Sequence, residues 1–215
     1  PINDAPIINA PFEQRFYEDE DSPVLTVSLI DMDIDEVEDS EIFVNLSSEH
    51  GDLSLGEVSG LTFDDDSNAS HDVSFRASIV DANAALATLS YRSDSNYNGP
   101  DNLTIEVNDH GYTGVAATQG ETSSSGALND REVISINVLP INDSPDLQIT
   151  ASQDIFEEVR TSVEGITIDD LDINENLDAI MHTTLEVSHG VLTITDVRGL
   201  DFIASDGIDD RRITF

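Results

Sequence analysis

The sequence predicts an all-β fold, organised as antiparallel β-sandwiches in tandem with the second one incomplete. Three observations carry that expectation. Short runs of alternating or β-branched residues, separated by Gly, Asn, Asp and Ser, recur through most of the 215 residues. Helical character is confined to a single stretch. The hexapeptide PINDAP at 1–6 returns as PINDSP at 140–145, 139 positions later, and self-similarity at a fixed period marks a repeat array.

Taken in order, a first strand is expected just ahead of Glu18. VLTVSLI (24–30), EIFVNLSS (41–48), DLSL (52–55), DVSFRA (72–77), NLTIEV (102–107) and EVISINVL (132–139) then read as strands. Each places apolar or β-branched side chains on one face of an extended chain. DANAALATL (81–89) reads as one or two helical turns. HGYTGVAATQGETSSSGALND (110–130) reads as a long loop, with Tyr112 able to reach a ligand. Six or seven short strands without a long helix suit a sandwich.

Sliding the sequence on itself by 139 places Glu18 on Glu157, Asp31 on Asp170 and Asp33 on Asp172. His50-Gly51 falls on His189-Gly190, and Gly60-Leu61-x-Phe63 on Gly199-Leu200-x-Phe202. After a gap of one residue, VSF at 73–75 falls on ITF at 213–215. Residues 1–139 are therefore expected to form a complete repeat and 140–215 a partial one lacking its C-terminal strands and part of its core.

Charge narrows the function. Forty-five acids face eight arginines and no lysine, for a net charge of −37. Such a surface repels nucleic acid and anionic lipid, which need Lys and Arg to neutralise phosphate. No apolar run is long enough to span a membrane, so no membrane insertion is expected. The absence of cysteine excludes disulfides and thiolate metal sites. Self-repulsion on this scale is relieved by high ionic strength or by bound divalent cations.

Topology then places the acids. In a seven-strand sandwich the chain starts at one pole and leaves at the other. Glu18 and Asp101 fall at the C-terminal pole of the first repeat. Asp31, Asp33 and Asp109 fall at its N-terminal pole, with Asn3 and Asp4 of the PIND motif. At the junction, Glu18 and Asp101 are expected to meet Asn142 and Asp143 of the linker and Asp170 and Asp172 of the next repeat. Two like charges about 4 Å apart repel by about 4 kcal/mol at an effective dielectric near 20. A hard cation reverses that sign. Calcium accepts six to eight oxygens at about 2.3–2.6 Å in irregular geometry, whereas magnesium demands a tight octahedron. Ligands drawn from three segments suit calcium. The D-x-D spacing has a reason too, because residues i and i+2 of an extended chain face the same side. EF-hand spacing fails, since DMDIDEVEDSE (31–41) has no Gly at the sixth loop position.

PIND-x-P at each join, D-x-D at 31–33 and 170–172, GLTF (60–63) and LATLSYRSDSNYNGPDNLTIEVNDHG (86–111) resemble the cadherin-like, Ig-like extender repeats of large bacterial surface adhesins, including the RTX type. HGDLSL and HGVLTI are similar to repeats of the chondroitin-sulfate-proteoglycan type. Cadherins hold calcium at their joins through D-x-N-D-N-x-P, an acid after the first strand, a D-x-D and an A-x-D. Asn142-Asp143, Glu18, Asp31 with Asp33, and Asp109 match by position, while Pro140 and Ser144 stand where an Asp and an Asn are expected. The resemblance implies one to three Ca2+ per junction. It also implies a rigid spacer outside the cell, on a bacterial surface, that presents a distal module to a host or substrate-surface glycan or protein. Its partners would be neighbouring repeats of the same polypeptide.

A glycan- or peptide-binding module is the alternative, weakened by the lack of tryptophan for sugar stacking. An enzyme is not expected. His50 and His189 recur before Gly and read as turn residues, and His71, His110 and His182 show no ligand spacing.

Overall fold

The computed structural model describes residues 4–22, 26–32, 34, 40–64, 68–111, 127–150, 152–174 and 179–215. Asn3, Asp33, part of the 24–30 run and residues 112–126 with Tyr112 lie outside them. The chain divides into two compact units, Pro1–Ile141 and Asn142–Phe215. The division falls inside the second PIND motif, two residues beyond the expected boundary. Among the described residues no helix is long and apolar enough to cross a membrane.

The protein is all-β with one short α-helix. Unit 1 contains β1 (Ile7–Asn9), β2 (Glu13–Tyr17), β3 (Ser28–Ile30), β4 (Ile42–Ser47), β5 (Gly51–Leu55), β6 (Thr62–Phe63) and β7 (Asp72–Ala77). The helix α1 (Ile79–Leu86) follows, then β8 (Leu89–Ser93), β9 (Gly99–Asn108) and β10 (Asn129–Leu139). Six strands form one sheet in the order β2-β10-β9-β4-β7-β6, while β1 pairs with β3 and β5 with β8.

The sequence alternation becomes the core. Ile42, Val44 and Leu46 of β4, Val73 and Phe75 of β7, Leu103, Ile105 and Val107 of β9, and Ile134, Ile136 and Val138 of β10 are all buried. Ile8, Leu29, Leu53, Leu55, Leu89 and Tyr91, with Ala82, Ala85 and Leu86 of the helix, belong to the same cluster. Each fully buried Val, Leu, Ile or Phe side chain contributes about 1.5–3 kcal/mol.

The helix starts where Ser78 caps it, its hydroxyl accepting the Asp81 N–H at 3.2 Å. It stops at Leu86, earlier than the expected 89. Thr88 Oγ1 donates to the Ala85 carbonyl and accepts the N–H groups of Gly56 and Glu57, which turns the chain into β8. Asn83 ties the helix to β3, accepting the Leu29 N–H at 2.7 Å and donating to the Leu29 carbonyl at 3.0 Å.

The expectation of a wholly antiparallel sheet is corrected. β2 runs parallel to β10, with Glu13 beside Ser135 and Tyr17 beside Leu139. Both strands travel from the N-terminal to the C-terminal pole, so they can be neighbours only in parallel. Gly51 also has a reason that a turn does not capture. A Cβ there would lie 2.5 Å from the Tyr91 ring, so glycine is required by packing.

Unit 2 holds β11 (Asp146–Ile149), β12 (Ile166–Asp169), a 3-10 turn over Asp172–Asn174, β13 (Thr184–Glu186) and β14 (Arg212–Thr214). β11 pairs with β12 and β13 with β14. Their registers reproduce those of unit 1. Leu147 opposite Ile168 corresponds to Ile8 opposite Leu29, and Leu185 opposite Ile213 to Leu46 opposite Val73. The isolated bridge Leu192–Asp210 corresponds to Leu53–Ser70. Phe202 meets Phe215 edge-on at 6.1 Å, as Phe63 meets Phe75 at 6.1 Å. Burial differs sharply. Leu147 is 55% and Ile168 36% exposed, against 6% for Ile8 and 3% for Leu29.

Candidate metal centre

In a chain with 45 acids, the buried carboxylates among the described residues are Glu18, Asp31, Asp101 and Asp109. Ionised side chains are rarely buried without compensation. All four lie at the poles of unit 1.

At the C-terminal pole, β2 and β10 end side by side, and the Glu18 N–H donates to the Leu139 carbonyl at 3.0 Å. Glu18 Oε1 accepts the Ile141 N–H at 2.8 Å, and Oε2 accepts the Asn98 side-chain amide at 3.3 Å. The carboxylate therefore grips the first residues of the linker. Its neighbour in the expected ligand set has another task. Asp101 Oδ1 accepts the N–H groups of Glu49 and Asn102 at 3.2 and 2.7 Å. Its Oδ2 accepts the His50 N–H at 3.1 Å and the Tyr91 hydroxyl at 2.8 Å. A carboxylate offers about four lone-pair directions, and all are taken by donors from the chain around it. Asp101 thus locks the β4–β5 connection to β8 and β9.

Tyr91 completes this network, stacking on Phe16 at 5.6 Å and lying over Gly51. Burial, reinforced by the Asp101 hydrogen bond and charge, pushes its hydroxyl pKa well above the ordinary 10.0. Burial also raises the Tyr97 hydroxyl, helped by the charges of Asp101, Glu49 and Asp94. A phenol with a raised folded pKa contributes stability that is complete below the unfolded value of 10.0 and is lost as pH rises above it. The melting temperature is therefore expected to fall above pH 10. Tyr91→Phe is expected to cost about 1.5–3 kcal/mol at neutral pH, because a hydrogen bond to a charged group is lost. It should also flatten the alkaline slope. Melts of both proteins across pH 8–11 check this, and an unchanged slope would refute the burial assignment.

The N-terminal pole gathers the ends of β3 and β9 and the start of β10. Ile30 pairs with Ile7, so Asp31 emerges beside the residues that follow Asp4. Asp31 Oδ1 accepts the Ile34 N–H at 3.1 Å. Asp109 Oδ1 accepts the N–H groups of Gly111 and Leu128 at 2.9 and 2.7 Å, tying the end of β9 to the residues that lead into β10. Asp130 Oδ2 accepts the Ile8 N–H at 2.8 Å and joins β1 to this end of the sheet. Asp4 is exposed.

In unit 2, Asp170 Oδ1 accepts the Asp172 N–H at 3.1 Å, and Asp172 Oδ2 accepts the Asp143 N–H. The backbone of Asp143 is thereby tied to Asp172, and that of Asp172 to Asp170, each residue half-buried. Asn142 is exposed and donates its side-chain amide to the Asp143 carbonyl. Among the described residues, no group of three acids or histidines is close enough to hold a metal ion.

Within each unit, the structure brings Glu18 and Asp101 to one pole of unit 1, and Asp31 and Asp109 to the other. In unit 2 it links Asp143 to Asp172 and Asp172 to Asp170 through backbone N–H donors. Sequence reading missed Asn98, Asp130 and Tyr91. Asn98 and Tyr91 lie in the NYNG and LSYRS stretches, where no spacing rule marks them, and Asp130 is one acid among many. These side chains offer carboxylate and amide oxygens, and those of Asp101 already accept four hydrogen bonds from the chain around it. A comparison with known protein families finds no match, and no curated protein is significantly similar.

Proposed function

We propose that the chain is a pair of cadherin-like β-sandwich repeats in tandem, the second partial, serving as a calcium-stiffened extender of a large bacterial surface adhesin. The observation that carries this reading is the burial, among the described residues, of Glu18, Asp31 and Asp109 at the poles of unit 1. The matched strand registers of the two units support the tandem arrangement.

Glu18, Asn142, Asp143, Asp170 and Asp172 are the junction ligands in this proposal. Asp101 supports them by holding the pole rigid. Asn3, Asp4, Asp31, Asp33 and Asp109 form the equivalent N-terminal half-site for a preceding repeat. Calcium would supply the positive charge that lets these oxygens approach one another, with one to three ions at a junction. An ion bound with Kd of about 10⁻⁴ M, at a hundredfold higher free calcium, adds about 2.7 kcal/mol to the folded state. Without it, like-charge repulsion loosens the join. The net charge of −37 fits a location outside the cell, where salt screens it and calcium is plentiful.

Thermal melts and small-angle scattering of the whole chain, in millimolar calcium and in chelator, test this. Calcium is expected to raise Tm by several degrees and lengthen the particle. Asp143→Ala combined with Asp172→Ala should remove most of both effects. Equal melts and equal dimensions under the two conditions would reject the proposal.

One observation favours the alternative of a ligand-binding module. The outer face of the six-stranded sheet carries an open groove of about 650 Å³ lined by Phe43, Arg76, Glu106, Asn108 and Arg131. Arg76 lies 5.6 Å over the Phe43 ring, and mixed donors and acceptors around an aromatic ring suit a sugar or a short polar peptide. Saturable micromolar binding of such a ligand, abolished by Phe43→Ala, would promote this reading.

A further inference from the structure

Residues 98–99 are the only place in the chain where an asparagine precedes a glycine. Gly99 opens β9 at φ +139°, a backbone region that favours glycine. Asn98 precedes it outside any helix or strand and is half-buried. Its side-chain amide donates to Glu18 Oε2 at 3.3 Å, while Glu18 Oε1 accepts the Ile141 N–H at 2.8 Å. Asn98 thus steadies the carboxylate that grips the linker.

We propose that Asn98 is a self-modification site, converted to aspartate and isoaspartate by attack of the Gly99 nitrogen, and that the conversion loosens the hold of Glu18 on Ile141. The Gly99 nitrogen loses its proton to hydroxide and bonds to Asn98 Cγ. The Cγ–Nδ2 bond breaks, and Nδ2 leaves as ammonia with a proton supplied by water. Water then opens the resulting imide ring. Breaking the bond from nitrogen to Cγ gives aspartate, and breaking the bond to the backbone carbonyl carbon gives isoaspartate. Water is the only co-reactant, and nothing is oxidised or reduced. Glycine suits the attack because it carries no side chain to hinder the approach, whereas every other asparagine of the chain is followed by a residue that does.

Strand register sets the pace. Gly99 stands opposite Val138 at the end of the β9–β10 ladder, and the Glu18 N–H donates to the next carbonyl, that of Leu139, at 3.0 Å. The nitrogen is therefore exposed to attack chemistry when this end of the sheet opens, which costs less than unfolding the core. The product differs from the reactant by a charge. A carboxylate at position 98 faces Glu18 where an amide donor stood, so a hydrogen bond becomes a like-charge contact. No step needs a bound cation.

The test incubates the whole chain in mildly alkaline buffer and maps its peptides by mass spectrometry over time. Position 98 is expected to convert before any other asparagine, giving both aspartate and isoaspartate. Amide exchange at Ile141 should quicken by at least about tenfold in the converted protein, as loss of a hydrogen bond to a charged group allows. Asn98→Asp should show that faster exchange without incubation. Asn98→Gln, whose longer side chain closes a less favourable ring, should stay unmodified. In denaturant the native sequence should convert faster than in the folded chain. Position 98 intact while other asparagines convert, or equal conversion in Asn98→Gln, would overturn the site. Unchanged Ile141 exchange after conversion and in Asn98→Asp would overturn the link to Glu18, and equal rates in denaturant would overturn control by the ladder.

Discussion

Asp101→Ala is expected to destabilise unit 1 by about 3–5 kcal/mol, and by the same amount in calcium and in chelator. The side chain is buried and accepts hydrogen bonds from Glu49, Asn102, His50 and Tyr91. Alanine leaves three part-buried backbone N–H groups without their acceptor and the Tyr91 hydroxyl with the His50 carbonyl alone, at 3.1 Å, and an unsatisfied buried donor costs about 1–3 kcal/mol before relaxation. Water entering the site recovers part of that sum, which brings the expectation to the stated range. Asp101→Asn should be nearly as harmful, because its amide turns one acceptor position into a donor facing other donors. Denaturant unfolding in both conditions gives the comparison. A loss confined to calcium-containing buffer would show that Asp101 ligates the ion and that the intramolecular donors are its substitutes.

The second large effect separates two leucines in equivalent positions. Leu46→Ala is expected to cost about 2–5 kcal/mol, the usual range for a cavity opened in a packed core. Leu185→Ala, at the same register of unit 2, should cost about 1 kcal/mol, since its side chain is only half-buried and little of its burial energy is at stake. Local sequence does not distinguish the two sites, for LEV at 185–187 and LSS at 46–48 both begin on an inward position of a strand. What differs is coverage. Leu46 lies in a sheet flanked by β7 and β9, whereas among the described residues the strand of Leu185 pairs with β14 alone. Equal losses measured by unfolding each unit separately would mean that unit 2 has a core of its own.

Much of the fold was legible because its signals are local. Alternation placed β4, β5, β7, β9 and β10 within a few residues, since the period of two belongs to the extended backbone itself. The helix was legible from its alanines, but its end was not, because Thr88 closes it by bonding Gly56 and Glu57, more than thirty residues away in sequence. β1, β6 and β8 are too short or too polar to carry a period. Asp31, Asp33 and the PIND acids were legible through their repetition at 139, and Asp101 and Asp109 through the strand order. Their individual tasks were not, since Glu18 and Asp101 are similar carboxylates until their donors are known.

By itself, then, the sequence determined a β-rich chain without lysine or cysteine, the place where one unit gives way to the next, and the acids that stand at the strand ends. Tertiary structure alone decided that β2 lies parallel beside β10, that Asp101 is saturated while Glu18 holds the linker, and that equivalent leucines are buried in one unit and half-covered in the other. The reason is range. Periodicity and charge are properties of neighbouring residues, but burial and hydrogen-bond partnership depend on segments that meet only when the chain has folded.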